Sequence, residues 1–306
     1  MMNRDVVVID KKVALKRERA ERIRRSKFLQ TARVYSKDRL AVIGAIIIFI
    51  VAAAAIFAPM ITPYNPNIGD GTKRLLPIGT PGHILGLDEE GRDILSRLIY
   101  GGRLSLASAV FPIVIMFFIS LGLGLIAGYF AKVGEVIMRV LDVLFAFPTA
   151  LLAIAISAII GTGLTTIMLS VCIVMLPYMT RVVYTSTLNE KNKEYVEAAK
   201  ALGANKLEIL FKEICPNVMT DLIVYSTTLM GTTIVFAAGL SFIGLGIQPP
   251  QADWGRMVTG GISVLTEGAP HIATIPGLVI LIVATAFNWI GDGLQSALDP
   301  FKRTQL

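Results

Sequence analysis

Glu197, Ala198 and Ala199, followed by Gly203 and later by Pro216, lie in the one long connection expected on the inner side between apolar segments, Glu190 to Asp221. These residue types suit docking rather than catalysis. Tyr195, Val196, Ala198, Ala199 and Leu202 recur at helical spacing as an apolar stripe, with Glu194, Glu197 and Lys200 as the polar remainder. Gly203 suits the left-handed residue that closes a helix. Asn205, with Glu208 three residues on, reads as a capping box that opens a second helix, which Pro216 is expected to end. Two alanines on an apolar face let another backbone approach closely, so the pair is shaped to lie in a groove of another protein. The same face would also suit packing on this chain's own inner surface or on lipid headgroups.

The chemistry that is missing narrows the rest. The chain has no G-x-x-x-x-G-K-[ST] phosphate loop, no H-E-x-x-H and no cluster of His and Cys. Catalysis is therefore not expected, and no cofactor or metal is expected on this chain. A carrier driven by protons or sodium needs an ionisable group near mid-membrane, yet His271 is expected at a mouth and Asp142 and Asp292 near inner ends. If transport is active, its energy comes from another polypeptide. Cys172, within an apolar segment, and Cys215, in the polar connection, read as packing residues with no disulfide between them.

The elements that must position these residues are membrane helices. Of the 306 residues, 54% are hydrophobic and 17% charged, too apolar for a soluble domain of this length. Six stretches approach the roughly 20 apolar residues needed to cross a bilayer: Leu40 to Ile61, Leu104 to Ala131, Val143 to Ile160, Leu164 to Thr180, Leu222 to Ile247 and Ile272 to Ile290. None contains Lys, Arg, Asp or Glu. The first apolar run begins too far into the chain for a cleavable signal peptide, so the first span is expected to persist. Thirteen of the 29 Lys and Arg precede residue 40, and an inside N-terminus leaves only Lys73, Arg74, Arg92, Arg97, Arg103 and Arg256 outside. Both termini are thus expected in the cytoplasm, and the protein in the cell membrane as a multi-pass bundle. The expected organisation is a basic cytoplasmic segment over 1–39, the first span over 40–61 and an outer loop over 62–103. A five-span core follows over 104–295 with its cytoplasmic loop at 185–221, then a tail over 296–306. The net charge of +7 needs no nucleic acid: Lys11 to Lys27 lacks interleaved aromatics and abuts a span, so anionic lipid is its expected contact.

The fifth span is rich in hydroxyls, and Thr228, Thr232 and Ser241 are candidates to line a translocation path. Close helix packing around Gly231, Ala237, Ala238 and Gly239 is the competing reading. Outside, Asp88, Gly91, Arg92 and Asp93 either form a solvated surface or meet a delivering protein, which would explain arginines retained against the charge rule. Trp254 is either an interfacial anchor or part of an outer gate. His83 reads as a loop hydrogen-bonder rather than a metal ligand.

The segment Glu197, Ala198, Ala199, Gly203 and Pro216 resembles the EAA signature of ATP-binding-cassette importer permeases: E-A-A, three residues, G, then I-x-L-P after nine more. Glu213 and Cys215 stand where that pattern has Ile and Leu. HILGLDEEGRDILSRLIYGGRLSL at 83–107, GLSFIGLGIQPPQADWG at 239–255 and NWIGDGLQSALDP at 288–300 are similar to the second permease subunit of the dipeptide, oligopeptide and nickel branch. Gln295 and Ser296 replace the Arg-Asp usual there, so no ion pair is carried over. The resemblance implies an all-α, six-span, type I permease. Its coupling helix would use Tyr195, Glu197, Ala198, Ala199, Leu202, Gly203 and Pro216. It further implies a homologous permease subunit, two cytoplasmic ATPase subunits holding ATP and Mg, and an extracytoplasmic solute-binding protein. Peptide import by alternating access is the implied activity; nickel complexes or oligosaccharides, or an ATPase-independent channel or carrier, are the alternatives.

Overall fold

The computed structural model describes residues 30–298. The basic stretch Lys11 to Lys27 and the residues after 298 lie outside them. Among the described residues the chain is mostly helical, with an irregular outer loop that holds two isolated bridges and with no strand. The principal helices are α1 (Arg39–Ile56), α2 (Ile94–Tyr129), α3 (Ala131–Phe145), α4 (Thr149–Ile160), α5 (Leu164–Lys191), α6 (Glu194–Ala201), α7 (Cys215–Phe242), α8 (Trp254–Ser263) and α9 (His271–Leu298). Helical residues 30–37 precede α1. By length and composition five helices can each cross a membrane, with α7 counted from Lys206, and six spans result if α3 and α4 form one.

Local chemistry sets the helix ends. Asp38 accepts from the backbone N–H of Leu40 and Ala41 to open α1, and Asp93 accepts from Ser96 N at 2.7 Å to open α2. Two expectations need correcting. The third span, expected unbroken over Val143 to Ile160, is a pair of helices meeting at 88° across residues 146–148. Pro148 carries no N–H and pushes the residue before it out of helical geometry, so α3 cannot run on into α4. The fifth span, expected to reach Ile247, ends at Phe242. There Gly244 adopts φ +89°, and its N–H and that of Leu245 return to Ser241 O and Leu240 O, a Schellman closure.

Within lipid, helices associate through close packing rather than hydrophobic expulsion, so small residues mark the contacts. Ser120, Gly124 and Gly128 recur every fourth position on α2. A Cβ at Gly124 would overlap Val183, and one at Gly128 would overlap Thr187, which places α2 directly on α5. Gly231 meets Ala284 and Asn288, and Gly291 meets Thr228, seating α7 on α9. Gly44 lies against the Ala286 carbonyl, and Gly293 against Ala41, holding α1 to α9. One buried cluster runs from Ile113 and Met116 through Val174, Met179 and Val183 to Leu222 and on to Val196, Ile209 and Ile214. A second joins Ile94, Ile234, Trp254, Met257, Ile272 and Phe287.

Candidate coupling and permeation sites

The polar connection folds as two helical pieces hinged at Gly203. α6 opens with Glu194 and Glu197 in its first turn and carries Lys200 in its last, favourable for the helix dipole. Gly203 takes φ +85°. Its N–H bonds Lys200 O at 3.0 Å and that of Ala204 bonds Ala199 O at 3.1 Å, completing a Schellman closure. Asn205 Oδ1 accepts from Glu208 N at 2.9 Å, while the Glu208 carboxylate accepts from Asn205 N at 3.3 Å, so the capping box forms as read.

The supposed single apolar stripe divides. Val196 is fully buried, with half-buried Tyr195 and Ala199 packed against the main core. Glu197, Ala198 and Gly203 are exposed, and Leu202 is 89% exposed. Leu207 and Phe211 add exposed apolar area just beyond. The Tyr195 hydroxyl donates to Glu190 Oε2 at 2.6 Å and accepts from Asn217 Nδ2 at 3.1 Å. Burial first, and then this bond to Glu190, push its pKa up to about 12. Lys191 Nζ donates to Tyr129 O at 2.8 Å, tying the end of α5 to the end of α2.

Pro216 does not end the second helix. Residues Ile209–Ile214 widen into a π-helical stretch, with Cys215 N bonding Leu210 O, and the chain continues into α7 with Pro216 in its first turn. A wider turn carries the helix past a ring that has no N–H to donate and would crowd the carbonyl four residues back. Asn217 Nδ2 donates to Glu213 O at 3.0 Å beside it. Helix is thus continuous from Lys206 to Phe242, and the connection and the fifth span are one lever.

The outer loop is a buried ion network. Asp88, Arg92 and Asp93 are each only 2–3% exposed. Asp88 Oδ2 lies 2.8 Å from Arg92 Nε and 3.1 Å from Arg97 Nε, while its Oδ1 accepts from the N–H of Glu90 and Arg92. Arg92 also pairs with Glu90 at 2.7 Å and Glu89 at 3.1 Å, and Arg97 donates to Pro66 O at 2.7 Å. Burial, then the neighbouring Asp88 charge, raises the Glu89 pKa above its ordinary value. Gly91, at φ +72°, packs on the Asp70 backbone. Asp93 Oδ1 lies 2.9 Å from His83 Nδ1. Arg103 donates to Ala55 O at 2.5 Å and Ile56 O at 2.7 Å, satisfying the end of α1. Outer arginines therefore hold the loop together, while Glu90 and Asp70 are exposed and Glu89 partly so.

Trp254 is 1% exposed. Its Nε1 donates to Leu98 O at 2.8 Å, its N–H to Ser105 Oγ at 3.0 Å, and its ring lies over Gly102. It joins α8 to α2 from within the chain. The three path candidates separate: Thr232 is exposed, Thr228 faces Gly291 of α9, and Ser241 is buried beneath Gly246. Among the described residues no group of three or more His, Cys, Asp and Glu is placed to hold a metal. One feature escaped sequence reading: Arg181 of α5 pairs with Asp142 of α3 at 2.6 Å. Its only trace was two charges near span ends, 39 residues apart.

A bundle of five to six helices long and apolar enough to cross a membrane, joined by a patterned polar connection, is the architecture of a multi-pass membrane protein. The chain belongs to the family of binding-protein-dependent transport system inner membrane components, whose model matches residues 120–304. Residues 26–77 match the N-terminal TM domain of oligopeptide transport permease C. The chain is 40% identical over 269 residues to the glutathione transport system permease protein GsiD of Pectobacterium atrosepticum, covering 88% of this chain and 89% of that one. It is 39% identical over 272 residues to the di/tripeptide transport system permease protein DppC of Pseudomonas aeruginosa, covering 87% and 89%. Its fold matches a chain of the inward-facing MetNI methionine ABC transporter with a TM-score of 0.56 at 18% identity, over 67% of this chain and 98% of that one. The chain is thus a permease subunit of an ABC importer, a multi-pass inner-membrane protein that works with ATPase and permease subunits and a binding protein. It is a transport component and not an enzyme.

Proposed function

We propose that this permease moves short peptides inward by alternating access, paired with a homologous permease subunit and driven by two ATPase subunits that hold ATP and Mg. Peptide delivery falls to an extracytoplasmic binding protein. The observation that carries the coupling is the two-sided α6. Val196, Ile209 and Ile214 share one buried cluster with Met179, Val183 and Leu222, while Glu197, Ala198, Leu202 and Gly203 are exposed. Close-packed interiors transmit displacement rather than absorb it, so a push on the exposed face moves α5 and α7 together. Tyr195 and Pro216 belong to this element: the first fastens α6 to α5 and α7, and the second sits where the lever passes through its π turn. The peptide class is supported by the relatives named for glutathione and for di- and tripeptides.

Reconstitution into liposomes tests this reading. Dipeptide uptake is expected only when this chain, its partner permease, both ATPases, the binding protein and Mg-ATP are all present. Uptake that persists without ATPases would point instead to a channel or carrier.

A further inference from the structure

On the inner half of the bundle lies an open depression of about 530 Å³, lined by Phe145, Tyr178, Arg181, Thr185, Ser186 and Tyr225. It falls among the end of α3, α5 and α7, and no coupling residue lines it. Its volume is within the roughly 300–1,000 Å³ usual for small-molecule sites. Arg181 Nη2 donates to Asp142 Oδ1 at 2.6 Å, and the guanidinium lies 4.5 Å from the centre of the Phe145 ring. Phe145 in turn meets Tyr178 edge-on at 4.7 Å. That single hydrogen bond uses one of the five N–H donors of the guanidinium, leaving the rest of the fork free to take a second carboxylate. At the other side the lining residue Ser186 donates to Asp221 Oδ2 at 2.5 Å, which sets Asp221 beside the depression rather than in its lining, and no basic side chain among the described residues pairs with Asp221.

Charged groups within membrane helices face bundle interiors or water-filled cavities and mark solute paths. Here the surface is uncovered by the chain's own bundle: the Arg181 and Asp142 side chains are 49% and 58% exposed. Tyr225, which lines the depression, and Thr232, seven residues on, share one face of α7. Arg181 and Ser186 are five residues apart on α5, about 7.5 Å along the axis. Two extended residues of a peptide span about 7 Å.

We propose that this depression is a peptide subsite at the inner end of the permeation path, reading the two charged ends of a short peptide. Arg181, steadied by Asp142 and Phe145, takes the terminal carboxylate. Asp221 takes the terminal ammonium. The rings of Phe145, Tyr178 and Tyr225 flank the side chains, which suits many sequences because an aromatic wall sets few hydrogen-bonding demands. The assignment rests on the peptide reading above and goes further by locating recognition in the permease itself.

The test uses the permease–ATPase assembly in lipid nanodiscs without binding protein, probed with a dipeptide carrying a benzophenone side chain. Photocross-linking to this chain is expected, and free dipeptide should compete at least tenfold better than its C-terminal amide or its N-acetyl derivative. Arg181→Gln should erase discrimination against the amide while keeping that against the N-acetyl form, and Asp221→Asn should do the reverse. Arg181→Lys, which keeps the charge but loses the fork, should recover part of the discrimination, a pattern that misfolding does not produce. Equal competition by all three peptides in the wild type, or unchanged ratios in both variants, overturns the subsite. Dipeptide uptake by the complete wild-type importer is measured in parallel. Its absence overturns the peptide reading itself, whereas its presence with unchanged ratios overturns the subsite alone.

Discussion

Gly203 has open space where a side chain would grow, so the cost of replacing it is conformational rather than steric. Its φ of +85° disfavours other L-residues by about 1–2 kcal/mol, and β-branched ones most. Gly203→Val should therefore loosen the hinge between α6 and the lever, lowering uptake more than tenfold with membrane abundance unchanged, while Gly203→Asn should lose little; transport assays with quantitative blotting check both. Trp254 makes a different kind of contribution. Trp254→Phe keeps most of the ring but removes the second hydrogen bond to the Leu98 carbonyl, which keeps its helical partner within α2, and the expected loss is about 0.5–1.5 kcal/mol of stability, read as a lower unfolding temperature. Glu89 brings pH dependence. Its raised pKa means the folded loop binds that proton more tightly, so the stability from this group is present below the ordinary value of 4.5 and is lost as pH rises through the raised one. Protection factors of outer-loop amides, after correction for the intrinsic pH dependence of exchange, should rise as pH falls from neutrality toward 4.5, and Glu89→Gln should flatten that rise. Individual residues were unevenly legible in the sequence. Gly203 and the Asn205–Glu208 box act on neighbours within a few positions, and their geometry follows from local chemistry. The partners of Arg92, Arg97, Arg103 and Arg181 lie on other elements, so their spacing along the chain carried no sign of them.

At the level of elements, hydropathy located the spans because an uncharged apolar run has one stable place. Their ends were less legible. α2 begins ten residues before the apolar run, at Asp93 and Ile94, because Arg97 and Arg103 find acceptors in the outer loop and at the end of α1. The third span breaks where Pro148 forbids continuation, and the fifth begins before Pro216 because a π turn accommodates it. Proline alone does not distinguish these two outcomes; the carbonyl geometry around it does. The α2–α5 contact gives a sharper prediction. Gly124 and Gly128 lie against Val183 and Thr187, so Gly128→Leu should force the helices apart, cost about 1–3 kcal/mol through overpacking, and reduce thermal stability. Gly122, with open space around it, should accept alanine with little change.

Across the whole molecule, the proposed mechanism requires two ends that share no residues to act together. The outer loop is stiffened by buried ion pairs, and the cytoplasmic end presents Leu202, Leu207 and Phe211 beside an acidic α6. Between them runs one continuous lever, Lys206 to Phe242, packed on α5 and α9. The family was legible from the E-A-A and glycine pattern, but the mechanical division of α6 into a core face and an exposed face was not, since Tyr195 and Leu202 differ only in which neighbours the folded chain brings to them. The most direct test of coupling compares peptide transported per ATP hydrolysed in the complete reconstituted importer, wild type against Glu197→Lys. Glu197 is exposed in the first turn of α6, and reversing its charge alters the exposed face, the proposed docking surface, without touching the buried one. The account predicts an assembled complex whose uptake per ATP falls at least tenfold. An unchanged ratio at a normal uptake rate would contradict it.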